Sequence, residues 1–584
     1  MADTVGSFAL VLHSHLPYVL SHGRWPHGAD WLTEAAADCY IPLLDALRRL
    51  VEEGRSPKIT IGVTPVLAEQ LSDPAFTYEF TNYLQAKIDA AETDKEHFSQ
   101  RVPEIVPLTD YWREHYSKIF GGFRRHYNRS IIGALKDLQD AGHIEIITSG
   151  ATHGYFPLLS QDVSIQAQVK QGVATYKRFF GREPRGFWLP ECAYRPRYSW
   201  AFPIAPEGRE SAPYLRKGVE EFLAENGLEY FIVESHLLKG GEALGVYADR
   251  FDALKRLWDQ FDKHFLPNDD DKTEYRPYWV ASYGKRGPVA VFARDPRTGS
   301  QVWSAAHGYP GDGWYLEFHK KHFPGGNCYW RVTGPSGDLG TKLVYEPDQA
   351  IERVKAHAEH FHQLVKDGLR EHKERSGKPG VICAPFDTEL FGHWWFEGTE
   401  WLYQVLKLMA DDPEIELTTC ADYLQASPPT EIVSLPEGSW GEGGFHWIWL
   451  NQSTMWAWKL IYDAEAEMRE ICKLDEIGLT GRLVRQAAVE LLLLQSSDWH
   501  FNISTQNSTD YAETRIKEHY RCFKRLAELA KKAAAGEAIV DSDADFLEAC
   551  EERDPLFPDI DPGWFKELEY PAQVMSNEQV LSIK

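Results

Sequence analysis

Short apolar runs alternate with longer amphipathic segments over most of the chain. The amphipathic segments, of which residues 31–53 are the first, carry apolar residues at helical spacing. The apolar runs have the length of buried strands and occupy residues 7–12, 59–63, 144–148, 186–189, 230–233, 288–292 and 381–384. Polar and aromatic residues directly follow several runs, as they do at the carboxyl ends of barrel strands. The alternation therefore predicts a parallel α/β barrel.

The same pattern divides the chain into three parts. Residues 1–427 are predicted to form the barrel, with a helical insertion at about 68–141 and a long loop insertion at about 239–287. Residues 428–535 are mostly helical in pattern and are predicted to form a C-terminal domain that contributes to a cleft. Residues 536–584 are acidic and contain proline, which predicts a tail.

Two carboxylates stand directly after two of the apolar runs. Glu191 follows the run at 186–189, and Asp387 follows the run at 381–384. Aromatic residues flank both positions in the sequence. Two carboxylates with aromatic neighbours are what glycosidic-bond chemistry requires, since one acts as nucleophile, one as acid and base, and rings stack on sugars. The pair is therefore the first candidate for a catalytic site.

Simpler interpretations of both carboxylates remain open at this point. Glu191 is close in sequence to Arg195 and Arg197, and an ion pair with one of them is the structural alternative. Glu389 lies two residues after Asp387 and points to the same side if the strand continues, so it is a rival for the same role.

Three histidines also lie at predicted strand ends. His13 and His15 follow the first run on one face of the strand, and His153 follows the run at 144–148. Histidines in such positions bind a metal, donate a hydrogen bond to a substrate hydroxyl, or pack in the core. The residues alone leave these three alternatives open.

Composition and charge exclude some classes of partner. The formal charge of −25 argues against nucleic acid and anionic membranes, which both require basic surfaces. The first residues lack a basic leader segment, and no run of about 20 apolar residues exists, so a cytoplasmic protein is expected. The eight cysteines have no CxxC spacing, which favours reduced thiols over a zinc site or a disulfide framework.

Five stretches of the sequence resemble the five signature regions of glycoside hydrolase family 57. They are residues 13–18, 150–157, 186–194, 384–392 and 498–515. Residues 384–395, APFDTELFGHWW, are similar almost throughout to the fourth region of the family's branching-enzyme subgroup. Further stretches that resemble this subgroup are 292–296, 301–304, 308–312 and 438–451.

The resemblance implies a fold and roles for individual residues. The family's fold is an incomplete (β/α)7 barrel with a helical insertion and a helical C-terminal domain, in agreement with the pattern above. Glu191 is then expected to be the nucleophile and Asp387 the general acid/base. His13, His15 and His153 are expected to line the donor subsite.

Other positions that match the family pattern are expected to contact the substrate, and they are Arg294, Gly311, Trp440 and Asp498. Trp314 and Trp449 are expected to be aromatic contacts for the glucan. Residues 245–248, GVYA, resemble the loop whose tyrosine, here Tyr247, favours transfer over hydrolysis. The stretch 249–285 is longer and more charged than the family pattern. Tyr278 and Tyr283 are therefore alternatives to Tyr247, and an ordinary loop tyrosine is the simplest interpretation.

The resemblance predicts a 1,4-α-glucan branching reaction with retention, which acts on an α-1,4-glucan polymer and uses no metal or cofactor. The nearest alternatives are an α-glucan hydrolase and a 4-α-glucanotransferase with the same catalytic pair. A metal-dependent polysaccharide deacetylase would use the histidines as ligands. A glycan-binding protein with an inactive site is the remaining class. The sequence makes no prediction of the oligomeric state.

Overall fold

A curled, mostly parallel β-sheet forms the centre of the molecule. The computed structural model describes residues 4–568 apart from 206–211, 239–249, 263–271, 285, 305–307, 335–336, 475–476 and 567. Numbered in chain order, the strands of this part are β1 (Gly6–Ser14), β2 (Ile59–Val63), β3 (Ile144–Ser149), β4 (Gly186–Trp188), β5 (Tyr198–Trp200), β6 (Tyr214–Arg216), β7 (Tyr230–Val233), β8 (Tyr278–Val280), β9 (Ala290–Ala293), β10 (Lys321–His322), β11 (Asn327–Cys328), β12 (Gly380–Asp387), β13 (Ile415–Leu417) and β14 (Ile432–Val433).

Seven strands pair in parallel in the order β12, β1, β2, β3, β4, β7 and β9. A parallel bridge joins Arg294, after β9, to Cys383 of β12, where Asp295 N donates to Cys383 O at 3.0 Å. β8 runs antiparallel to β9, and β14 follows it in the sheet. The predicted fold, an incomplete (β/α)7 barrel, is confirmed.

The barrel strands are continuous apolar runs in the sequence because other parts of the protein cover both faces of each strand. β1 is buried at all nine of its positions, and β2 at all five. Continuous burial is typical of parallel strands that lie between helices and a packed interior. The polar residues therefore appear where the strands end, and this is where the site lies.

Helices surround the sheet and extend beyond it. The predicted helix at 31–53 is two α-helices joined by a π-helical turn, Ala36–Tyr40. None of the helices in the described part is long and apolar enough to cross a membrane. The α-helices of this part are Ala29–Ala35, Ile41–Glu52, Pro65–Ser72, Pro74–Arg101, Val106–Arg125, Ile131–Asp140, Asp162–Phe180, Val219–Glu225, Asp252–Asp262, Pro296–Trp303, Pro347–Ser376, Gly398–Asp411, Cys420–Ala426, Met455–Ile471, Gly478–Leu494, Ser497–Thr505, Thr509–Ala534 and Asp541–Arg553.

The two insertions differ in how regular they are. Four helices lie between β2 and β3, and the longest, Pro74–Arg101, begins where the Asp73 carboxylate accepts a hydrogen bond from Ala75 N. The stretch at 239–287, expected as a loop, contains the helix Asp252–Asp262 and the strand β8 among its described residues. The three residues of β8 are too few to show strand periodicity, so the sequence did not reveal them.

The segment after residue 536 differs from the tail that was expected. It contains the helix Asp541–Arg553, and Asp554 behind that helix is fully buried. Asp554 Oδ1 accepts a hydrogen bond from His22 Nε2 at 2.5 Å, and Oδ2 accepts one from Arg553 Nε at 2.8 Å. The acidic composition suggested exposure because it does not reveal these two partners.

We expect Asp554→Ala to lower the free energy of unfolding by about 1–3 kcal/mol, because it leaves the buried His22 ring without its hydrogen-bond partner and the partly exposed Arg553 guanidinium without its neighbouring carboxylate. Denaturant unfolding measures this loss. Glu552→Ala, at an exposed position of the same helix, is the matched control, for which we expect a change within about 0.5 kcal/mol. Equal stability of the two variants would mean that this contact does not fasten the segment.

Candidate active site

A cleft of about 1170 Å³ opens where the barrel strands end. We call it the central cleft. Both predicted catalytic carboxylates line it, together with seven of the predicted substrate-binding residues. These nine residues are His13, His15, His153, Glu191, Arg294, Asp387, Trp440, Trp449 and Asp498.

Glu191 lies in a strained turn directly after β4. The short 3-10 helix Pro190–Cys192 follows the strand, and Glu191 has φ 60° and ψ 25°, in the left-handed region. Cys192 and His153 also have positive φ angles, of 47° and 60°. Left-handed backbone at a non-glycine residue costs roughly 1–3 kcal/mol and is concentrated at functional sites. Here the turn directs the Glu191 carboxylate into the cleft.

Two donors from outside the barrel hold the Glu191 carboxylate. Trp440 Nε1 donates to Oε2 at 2.9 Å, and Ser497 Oγ donates to Oε1 at 2.9 Å. His153 Nδ1 lies 3.7 Å from Oε1 and also contacts Ser497 Oγ, at 2.8 Å. Each carboxylate oxygen therefore has one direct donor, which fixes its orientation and stabilises its charge.

The ion pair considered for Glu191 does not form. Arg195 lies 3.7 Å from Asp162, and Arg197 pairs with Glu221. Both arginines point away from the cleft because these acidic partners lie elsewhere in the fold. The structural alternative to a chemical role for Glu191 is therefore wrong.

Asp387 is the last residue of β12 and lies opposite His13 in the parallel ladder. Burial, and after it the charge of Glu389, raise its pKa to about 8, against the opposing charge of Arg294. Burial also raises the pKa of Glu191 to about 7, against the hydrogen bond from Trp440, while the charges of Asp498 and Asp387 raise it. The charge of Asp387 thus acts on Glu191 across the cleft.

Glu389, the rival of Asp387, is fixed by the barrel wall. Its Oε1 accepts hydrogen bonds from Tyr40 Oη at 2.6 Å and from His15 N at 3.1 Å. Within the described residues, Asp387 has no hydrogen-bond donor of this kind. Glu389 is therefore engaged in holding the strand end, whereas the Asp387 carboxyl group is available to a ligand.

The three histidines form one stacked group beside the carboxylates. His13 Nε2 lies 3.0 Å from His153 Nε2, and His15 Nε2 lies 2.8 Å from Asp498 Oδ2. The His13 ring stacks on Trp188 with centroids 4.4 Å apart. Burial lowers the pKa of His13 and His153, so both rings are neutral hydrogen-bonding groups near neutral pH.

A metal alternative exists for part of this group. Ligand atoms of His15, His153 and Asp498 lie within 4.8 Å of one another. The same atoms already have protein partners, since His15 bonds directly to Asp498. His15 opposes the effect of burial and lowers the pKa of Asp498 to about 2. The three side chains therefore belong to one hydrogen-bonded network.

Gly311 and Trp314 are not brought to the central cleft. Gly311 ends an exposed turn, and Trp314 stacks on the guanidinium of Arg331 at 4.0 Å. Asp312, between them, accepts a hydrogen bond from Arg353 Nε at 2.8 Å, which holds this loop against the helix Pro347–Ser376. Neither Gly311 nor Trp314 is among the residues that line the central cleft.

The tyrosine expected to favour transfer lies outside the described residues, since Tyr247 falls in the stretch 239–249. Tyr278 Oη accepts hydrogen bonds from Thr273 N and Arg276 Nε, both at 2.9 Å. Tyr283 is exposed. Neither of these alternative tyrosines lines the central cleft as far as the described residues define it.

Comparisons with known proteins show the family to which the chain belongs. Residues 9–436 match the family model of glycosyl hydrolase family 57. This chain belongs to glycosyl hydrolase family 57. Residues 460–565 match the model described as 1,4-alpha-glucan branching enzyme, C-terminal. The resemblance of the sequence to the family and to its branching-enzyme subgroup is confirmed.

Relatives cover nearly the whole of this family-57 chain. A 1,4-alpha-glucan branching enzyme from Thermococcus kodakarensis is 45% identical over 564 residues, which cover 96% of this chain and 78% of the relative. The crystal structure of a family-57 branching enzyme from Thermococcus kodakaraensis has a TM-score of 0.86 and 42% identity, and covers 97% of this chain and 98% of that chain. The alpha-amylase AmyC from Thermotoga maritima has a TM-score of 0.78 and 30% identity, over 97% and 100%.

The structure adds Ser497, which the sequence analysis missed. It begins the helix Ser497–Thr505 and bridges Glu191 and His153, although it is 306 residues from Glu191 in the sequence. Its neighbour Asp498 was predicted, and the run Ser496-Ser497-Asp498 was the only local signal. The bridge itself depends on how the C-terminal domain docks on the barrel.

Exposed aromatic residues at the cleft mouth were also not predicted as contacts. Trp25, Phe323 and Trp394 are 71%, 63% and 46% exposed, and all three line the central cleft. They come from three separate loops, so no single stretch of sequence groups them. Exposed rings at the edge of a cleft are suited to stacking on sugar faces.

We expect Ser497→Ala to lower kcat/KM about 10- to 100-fold, because a hydrogen bond to a charged group contributes about 1.5–3 kcal/mol. Loss of the donor destabilises the Glu191 anion, so the acid limb of the pH–rate profile should move to higher pH. Initial rates on amylose across the pH range measure both effects. Ser453→Ala, at an exposed position, is the control. An unchanged rate and profile for Ser497→Ala would show that the hydroxyl does not act on Glu191.

Proposed function

We propose that this chain is a 1,4-α-glucan branching enzyme in which Glu191 is the nucleophile and Asp387 the general acid/base. The observation that carries the proposal is that both carboxyl groups line one aromatic-walled cleft, in which the charge of Asp387 raises the pKa of Glu191. The similarity to branching enzymes over almost the whole chain supports the reaction type.

The distribution of protons favours these two roles. Trp440 and Ser497 donate to Glu191 and stabilise its anion, whereas Asp387 holds its proton to higher pH, with a pKa of about 8 against about 7. When the pair holds one proton, that proton therefore resides mainly on Asp387. A charged nucleophile beside a neutral acid is the state that the first chemical step needs.

In the first half of the reaction, Glu191 attacks the anomeric carbon of an internal α-1,4 bond. Asp387 gives its proton to the departing glycosidic oxygen, and the cleaved chain remains as a glycosyl ester of Glu191. Esterification removes the negative charge of Glu191. The Asp387 carboxylate is then left as a base beside a neutral ester.

In the second half, Asp387 accepts the proton of an acceptor hydroxyl that attacks the ester. The 6-hydroxyl of a glucose unit yields a branch, and water yields a shorter chain. A tenfold preference for transfer requires only about 1.4 kcal/mol between the two barriers. By resemblance, Tyr247 is proposed to help exclude water.

The cleft has the properties that a neutral glucan requires. Its mouth carries exposed aromatic rings, and its inner wall includes Trp449, which stacks on Tyr155 with centroids 4.3 Å apart. The net charge of −25 disfavours polyanions and has little effect on an uncharged polymer. We therefore propose that the substrate is an α-1,4-glucan such as amylose or a glycogen-like polymer.

Incubation with amylose should produce new α-1,6 linkages in excess of new reducing ends. Linkages counted by NMR or by debranching, set against reducing-end assays, measure the ratio. Glu191→Gln should abolish both products and serves as the blank. New reducing ends without new branches would show that the chain is a hydrolase, as the name of the Thermotoga alpha-amylase indicates for that relative. Loss of activity with a chelator, restored by a metal, would favour the metal-dependent alternative.

We expect Asp387→Asn to lower kcat by about 10²–10⁴-fold and to stabilise the fold. The activity falls because general acid/base catalysis contributes about that factor. Glu389→Gln is the matched control and should retain most of the activity. Near-normal turnover of Asp387→Asn would show that Asp387 is not the general acid/base.

The stability effect of Asp387→Asn should depend on pH. Burial raises the folded-state pKa of Asp387 from 3.8 to about 8, so between these values the folded chain keeps a proton that the unfolded chain has lost. Wild-type stability therefore decreases as pH rises through this window. An amide does not titrate, so the Tm of the variant should exceed that of the wild type by a margin that grows from pH 4 to pH 8. A margin independent of pH would contradict the raised pKa.

A further inference from the structure

Two buried cysteines face each other between the last two helices of the C-terminal domain. Cys522 lies on the helix Thr509–Ala534, and Cys550 lies on the helix Asp541–Arg553. Their sulfur atoms and a carboxylate oxygen of Glu490 all lie within 4.8 Å of one another. The two thiols are therefore close enough for a small side-chain rotation to bring them together.

A guanidinium group lies beside one of these thiols. Arg553 Nη2 donates to Cys522 Sγ at 3.3 Å, and its Nε donates to Asp554 Oδ2 at 2.8 Å. The Arg553 side chain is 31% exposed, so it connects the buried thiol to solvent. A cation next to a thiol favours the thiolate, which is the reactive form.

The two thiols differ in their readiness to ionise. A hydrogen bond from Cys550 lowers the pKa of Cys522, burial opposes this, and Arg553 lowers it further. The same hydrogen bond and burial raise the pKa of Cys550. One thiolate beside one neutral thiol is the arrangement found in dithiol sites that oxidise in two steps.

The chain contains a second buried cysteine pair without this feature. Cys383 of β12 lies next to Cys420, and the two thiols are hydrogen bonded. Burial, the Cys383 thiol and the charge of Glu145 all raise the pKa of Cys420. Both cysteine pairs are buried, but the surroundings of Cys420 disfavour its thiolate. The pair Cys383–Cys420 is therefore an internal control.

We propose that Cys522 and Cys550 form a peroxide-sensitive dithiol that closes reversibly to a disulfide. The Cys522 thiolate attacks one oxygen of hydrogen peroxide and becomes a sulfenic acid, and hydroxide leaves and takes up a proton as water. Cys550 then loses its proton and attacks the Cys522 sulfur. The sulfenic hydroxyl leaves with a proton as a second water. Two thiols lose two electrons in total, and one peroxide is reduced to two waters.

The cross-link would fasten the helix Asp541–Arg553 to the helix Thr509–Ala534. The first of these helices precedes Asp554, which bonds to His22 in the loop that follows β1 and His15. A disulfide restricts the unfolded chain and so favours the folded state. Oxidation should therefore raise the Tm of the protein, and reduction with a thiol reagent should reverse the rise.

The test uses the full-length protein treated with hydrogen peroxide and then alkylated under denaturing conditions. Before alkylation we expect the intact mass to fall by about 2 Da. After alkylation and digestion without reductant, we expect a peptide pair in which Cys522 is linked to Cys550, while Cys383 and Cys420 are recovered as alkylated thiols. Treatment with dithiothreitol should restore both thiols. Cross-linking of Cys383 to Cys420 at a similar rate, or conversion of Cys522 to a sulfinic acid without a cross-link, would overturn the proposal.

Single substitutions separate the two steps. Cys550→Ser removes the resolving thiol, so Cys522 should accumulate as a sulfenic acid that reacts with dimedone. Cys522→Ser should give neither cross-link nor dimedone adduct at Cys550, and Cys383→Ser should leave the Cys522–Cys550 cross-link unchanged. Dimedone labelling of Cys550 in Cys522→Ser at the rate seen for Cys522 would show that Arg553 does not select the reactive thiol.

Discussion

The buried charge of Glu191 is the interaction on which the rest of the site depends. Glu191 lies after β4 in a left-handed turn, and burial alone would keep its carboxyl group protonated. Two donors, Trp440 Nε1 and Ser497 Oγ, oppose that effect. Both donors belong to segments that follow the barrel in sequence. The barrel therefore supplies the proposed nucleophile, and the C-terminal part supplies two donors that stabilise its anion.

This division explains why the barrel and the C-terminal domain are joined by polar contacts as well as by apolar packing. Asp498 bonds to His15, Ser497 bonds to His153, and Asp554 bonds to His22. Each contact joins a group in the C-terminal part to a histidine near a barrel strand end. Buried polar networks of this kind require all partners in place, so displacement of the domain would leave several groups unsatisfied at once. Docking and catalysis are thereby coupled in one set of hydrogen bonds.

The same features make the site unfavourable for stability. Glu191, Asp387 and Glu389 are three buried carboxyl groups with raised pKa values in one cleft, and their ionisation costs folding free energy as pH rises. The left-handed backbone at Glu191 and His153 adds strain. Such costs are typical of sites whose groups must be poised for proton transfer near neutral pH. The large core around the barrel offsets them.

The sequence alone determined the elements and the chemistry that each strand end carries. Apolar runs fix where buried strands lie, and local motifs identified Glu191, Asp387 and the three histidines, because these signals depend only on neighbouring residues. Tertiary structure decided which distant groups meet. Ser497 reaches Glu191, Tyr40 engages Glu389, and Arg353 bonds to Asp312 in the loop that carries Gly311 and Trp314. It also decided that the acidic segment after residue 536 folds back on its cationic partners. Periodicity and spacing describe one segment at a time, whereas these contacts depend on how separate segments pack in three dimensions.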